Sequence, residues 1–111
     1  MTKPFRRLAA ITSFGIVLVV GSQIGTAYYR FAKIEREFKS VHAGQARSSV
    51  VELFGMPNYR MGRCGTLSSP PPGCTMEYVY SDPLAPWVPD YYVVYFAADD
   101  RVLETAYLSS P

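Results

Sequence analysis

Cys64 and Cys74 are the only cysteines of this 111-residue chain, and His42 is its only histidine. Few reactions are open to so small a set. A zinc site takes four ligands, and His42 is the only other soft donor. A redox pair normally has Cys-x-x-Cys spacing, whereas these cysteines stand ten residues apart. A catalytic Cys64 could use His42 as its base, but nothing in the sequence supplies a third group to orient the pair. Free thiols are a further alternative. The favoured reading is a structural disulfide. The segment between the cysteines, Gly65-Thr66-Leu67-Ser68-Ser69-Pro70-Pro71-Pro72-Gly73, is made of turn formers, so the bond would close the base of a hairpin. It requires an oxidising compartment. The acidic residues offer no clearer chemistry. Asp82 and Asp90 flank a proline-rich loop, and Asp99-Asp100 read as solvated turn formers. No Gly-rich phosphate loop or metal cluster is present in the sequence, and the expectation is a non-enzymatic protein without cofactor or metal.

The elements that would carry these residues follow from spacing. Val50, Leu53 and Phe54 share one face of a short helix that begins after Gly44. Gly55 suits the left-handed residue that ends it, and Pro57 forbids its continuation. A helix this short cannot bury its apolar face alone, so it must dock on the aromatic strands downstream. Asn58–Arg63 reads as a short strand. Thr75–Tyr80 alternates, with Met76, Tyr78 and Tyr80 on one face and Thr75, Glu77 and Val79 on the other. Ser81–Pro89 holds three prolines and Trp87, so it is a loop whose Trp either lids the core or stands free as a contact. Tyr91–Phe96 is apolar on both faces, which predicts a central strand covered by helix on one side and by something else, a partner included, on the other. Val102–Leu108 is the last strand.

Seven of the eleven Lys/Arg but only two of the nine Asp/Glu lie in residues 1–40, which gives that part +5 and the remainder −3. Positive charge therefore flanks the apolar N-terminal segment and does not coat the domain, which fits a membrane surface and not nucleic acid. The expected organisation is a basic tail over 1–7, a transmembrane signal-anchor or a cleavable signal peptide over 8–29, an amphipathic helical stalk over 30–41, and one domain over 42–111. Lys3, Arg6 and Arg7 precede the apolar run, whose heart is Ile16–Val20. About 22 residues of helix at ~1.5 Å each would reach ~30 Å, a bilayer's thickness. Gly25-Thr26-Ala27 is the site at which a signal peptide could be cleaved. Tyr28, Phe31, Ile34, Phe38 and Val41 then form a helical stripe, expected to pack within the domain or else against a second copy or a partner. Cations are nearly balanced on the two sides of the run, and the cysteines place the C-terminal part outside the cytoplasm.

Gly44, Val50, Leu53, Gly55 and Pro57, followed by Tyr78 and Phe96 on successive strands and then by Asp99-Asp100-Arg101 and Val102, resemble the BamE (SmpA/OmlA) family of small bacterial envelope lipoproteins. The resemblance covers residue 41 to about residue 108. It implies an α+β fold, with helices packed on a three- to four-stranded antiparallel sheet behind the N-terminal transmembrane helix. It also implies a scaffold role like that of accessory subunits of the outer-membrane β-barrel assembly machinery. Envelope proteins, and membrane lipid through the N-terminal helix, would be its partners, with Trp87, Tyr91 and Tyr95 on the contact face. The alternative is a single-pass inner-membrane subunit of another envelope complex, with the same fold as its binding module. Two departures stand out. Ser22 occupies the place of the lipidated cysteine after Val19-Val20-Gly21, so no thioether can form, and Ala46 replaces a threonine that would cap the helix.

Overall fold

The computed structural model describes residues 2–85 and 87–109, with side chains from residue 16 onward. Helix α1 runs through Thr2–Glu37 and ends in a 3-10 turn at Phe38–Ser40. Helix α2 spans Arg47–Phe54, followed by strands β1 (Arg60–Gly62), β2 (Met76–Ser81), β3 (Asp90–Phe96) and β4 (Val102–Ser109). The strands form one antiparallel sheet in the order β1-β2-β3-β4, so each pairs with its neighbours in the chain. A register shift between Tyr95 and Phe96 lets Phe96 face Val102 and Tyr95 face Glu104.

The transmembrane helix expected over 8–29 is not borne out. The segment is helical and belongs to one 36-residue helix. Among the described residues, however, no helix is long and apolar enough to cross a membrane. The reason lies in the sequence around the aliphatic heart. Ile16–Val20 is followed at once by Gly21, Ser22 and Gln23, then by Thr26, and Arg30 closes the run. From Ile16 onward, where side chains are described, the apolar stretch runs five residues before polar ones interrupt it. The basic side chains of the 1–7 tail lie outside the described residues.

Helix α2 is held at both ends. Its N-cap, Ala46, makes no side-chain cap. The β3–β4 turn and the start of β4 hold this end instead: Arg47 N–H donates to the Asp100 carbonyl (2.8 Å), Gly44 N–H to Val102 O (2.8 Å), and Val102 N–H to Gln45 O (2.8 Å). At the other end Gly55 has φ 76° and ψ −170°, a region reserved for glycine, and its N–H closes the helix on Val51 O. The face so positioned buries Val50 and Phe54.

Two apolar layers flank the sheet. The helix-side layer contains Ile34, Phe38, Val41, Val50, Phe54, Tyr78, Tyr80, Val94, Phe96 and Val102. Phe31, Ile34, Phe38 and Val41 of the sequence stripe are all buried, so α1 docks on the sheet through its last turns, while Tyr28 is 39% exposed and marks where docking ends. The outer layer contains Val79, Tyr91, Val93 and Tyr95, with Cys74, Ala85, Leu103, Ala106 and Leu108 packed against them. The second cover demanded by the doubly apolar β3 is thus intramolecular. One end is roofed by the disulfide loop and the other by the proline-rich loop.

Candidate functional site

Cys64 and Cys74 form the disulfide, with Cα atoms 6.3 Å apart. Each lies two residues from its strand, so the bond closes the base of the β1–β2 hairpin as the spacing predicts. Oxidation removes the thiolate that a Cys64–His42 pair would need. His42 is itself exposed, with ring Nδ1 3.0 Å from the Ser40 carbonyl.

The loop beyond the disulfide folds back onto the outer face. There the Thr66 backbone N–H donates to Glu77 Oε1 at 3.1 Å, and the Thr66 hydroxyl donates to the same oxygen. Glu77 is fully buried, and its Oε2 has no partner. Tyr95, the β3 residue opposite Glu77, is 2% exposed and also leaves its hydroxyl unpartnered. Two unsatisfied polar atoms on one strand pair are uncommon in a folded interior.

Tyr80, on the helix side, is satisfied by contrast. The Tyr80 hydroxyl donates to Gly55 O at 2.8 Å, tying β2 to the end of α2. Burial, and then the neighbouring Tyr78, push the Tyr80 phenol well above its ordinary value of 10.0. Tyr92 packs edge-on against Phe38 (4.7 Å) and Phe31 (5.8 Å). Burial first, then Glu35, Tyr107 and Asp90, raise its phenol to about 12. Tyr107 donates to Asp90 Oδ1 at 2.7 Å, a bond that raises its own pKa.

The acidic turn serves the fold. Asp100 pairs with Arg47 at 3.1 Å, and Asp99 Oδ1 accepts the Arg101 N–H at 3.2 Å. Asp82 Oδ1 caps the proline-rich loop by accepting from Leu84 N–H at 2.8 Å. Among the described residues no three His, Cys, Asp or Glu side chains converge to hold a metal.

The contact face expected at Trp87, Tyr91 and Tyr95 divides. Trp87 is 85% exposed at the tip of its loop. Tyr91 and Tyr95 are 9% and 2% exposed, and their packing in the outer layer leaves them little free surface. Gly44, Val50, Leu53, Gly55, Tyr78 and Phe96 gather where α2 meets the sheet, and Pro57 follows directly. Val50 and Phe96 are wholly buried there. These positions build the junction. No protein-family model, curated protein or solved structure matches this chain. The case for what it does therefore rests on its own surface.

Among the described residues, several apolar features of that surface are open, two of them along helices. One is a cleft of about 680 Å³ beside α2, lined by Arg47, Val51, Met56, Met61, Met76 and Tyr78 among others. Met56 and Met61 are about half exposed there, and the Arg47 guanidinium sits 3.5 Å from the Met76 sulfur. The other is α1 itself, where Ile16, Val17, Leu18, Val19 and Val20 are 48–67% exposed. Sequence reasoning missed the methionine cleft because its three methionines come from three separate elements at irregular spacing. It missed the burial of Glu77 although one signal was available: β3 is apolar on both faces, so the neighbouring outer-face position on β2 had to be covered too.

Proposed function

We propose that this protein is a non-enzymatic scaffold of the bacterial cell envelope, similar in role to the accessory subunits of the outer-membrane β-barrel assembly machinery. The α+β unit is the platform, and α1 is the element that engages partners. The observation that carries this reading is the uncovered aliphatic sleeve on α1. Five consecutive exposed residues, Ile16–Val20, occupy every side of the helix. A contiguous exposed apolar surface marks an interaction site. The disulfide supports residence in an oxidising compartment such as the periplasm. The sleeve is followed by Arg30, Lys33, Arg36 and Lys39, which favour a partner with acidic margins and give α1 a means of resting against anionic lipid headgroups without spanning the bilayer. Trp87 supplies a second exposed anchor.

The test is in-cell photocrosslinking of the full chain, with a photoreactive residue in place of Leu18 or of Trp87. Adducts with barrel-assembly subunits are the expected result. Adducts confined to cytosolic proteins, together with two alkylatable thiols in the freshly isolated chain, would overturn the reading.

A further inference from the structure

We infer that the Cys64–Cys74 loop is a redox-released cover over a buried acid, Glu77. Both hydrogen bonds that this carboxylate accepts come from the loop. Thr66, two residues from Cys64, supplies both hydrogen bonds to Oε1, while Oε2 has none. A fully buried carboxylate with one bare oxygen favours hydration, and Thr66 keeps water out only while the loop stays closed. The tripeptide Pro70-Pro71-Pro72 restricts the loop's own folding, and within it the Cys74 N–H reaches the Pro71 carbonyl at 3.3 Å. The disulfide pins the two ends just beyond the last β1–β2 register pair, Gly62 with Glu77, and so limits how far the loop can lift.

Reduction by a dithiol breaks the S–S bond. Each cysteine sulfur gains one electron and one proton, and the donor leaves as a disulfide. The freed loop then regains the entropy that the bond had removed, and Thr66 leaves Glu77. Glu77 and Tyr95 become open to solvent together, since they face one another across β2 and β3. The rest of the fold stays, because the helix-side layer lies on the opposite face and no residue of the 63–75 loop belongs to it. Oxidised protein therefore presents a closed apolar outer face, and reduced protein presents an acidic one. This inference does not depend on the identity of any envelope partner.

The experiment compares the oxidised full chain with the chain reduced by dithiothreitol, using hydrogen exchange and carbodiimide-mediated labelling of carboxylates, both read by mass spectrometry. Reduction is expected to speed exchange in 64–75 at least tenfold more than in α2, which stays folded and protected, and to make Glu77 reactive. Equal labelling of Glu77 in both forms would overturn the proposal. So would loss of α2 protection in step with the loop, since the disulfide would then hold the whole fold. Thr66→Val, kept oxidised, separates latch from staple. It should raise Glu77 labelling above that of the unsubstituted oxidised chain, and an unchanged level would remove Thr66 from the mechanism.

Discussion

At Gly55 one backbone conformation decides where a helix ends and which tyrosine it meets. Its φ of 76° with extended ψ strains any side chain. Gly55→Ala is expected to cost about 1–3 kcal/mol, measured as a lower urea midpoint with unchanged slope. Tyr80→Phe removes the hydroxyl that donates to the Gly55 carbonyl. It should cost roughly 1 kcal/mol, a typical value for one intramolecular hydrogen bond. The raised phenols of Tyr80 and Tyr92 add a pH dependence. Unfolded tyrosines ionise near 10, while these two keep their protons in the native state. Above that pH the unfolded chain binds fewer protons, so stability falls as pH rises. The contribution is complete below pH 10.0, and for Tyr92 it is lost by about 12. Equilibrium denaturation followed from pH 8 upward should therefore show a steady decline beginning near pH 10, and a flat profile would contradict the burial of these rings.

The elements were legible to different degrees. The short helix was readable because glycine and proline punctuate it, and Val50 and Phe54 are buried as their spacing requires. The strands were readable from alternation, and the hairpin disulfide from the turn formers between its cysteines. The role of the loops was not readable. Nothing in Thr66 announces that it will bond to a residue eleven positions away, and the tyrosines of β3 look equally fit for a core and for a contact face. The structure resolves that choice by roofing them. The transmembrane expectation rested on a charge-free run long enough to span a bilayer, but glycine, serine and glutamine interrupt it after Val20, and among the described residues no helix is long and apolar enough to cross a membrane. The staple is testable at this scale. Replacing Cys64 and Cys74 together by serine should cost about 2–3 kcal/mol, roughly 10–20 °C in Tm for a domain of this size, as seen by calorimetry.

Considered whole, the molecule is a small sheet with two unequal covers and a long lever. Among the described residues, only the end of α1 and the 3-10 turn after it reach the helix-side layer, through Ile34 and Phe38, with Phe31 packed edge-on against Tyr92. The aliphatic residues from Ile16 to Val20 add nothing to the stability of the α+β unit. Replacing Ile16, Leu18 and Val20 by serine should leave its denaturation midpoint within about 0.5 kcal/mol of the original, while abolishing crosslinks through α1. A larger loss of stability would mean that the sleeve packs on its own domain. The charge asymmetry, +5 over residues 1–40 and −3 over the rest, belongs to the same division of labour.

Strand β4 (Val102–Ser109) lies at the rim of the sheet, and beyond Val102, which bonds Gly44 and Gln45, no described strand pairs with its outer side. Glu104 is its single charge, and it contains neither proline nor lysine. Natural sheets blunt such rims with those residues, and here almost nothing does so. At high concentration, rims from separate molecules can zip together into ribbons, so the purified protein should lose clarity on storage faster than its folding stability alone would suggest. A lysine in place of Thr105 should delay that clouding without raising the melting temperature, as light scattering over days would record.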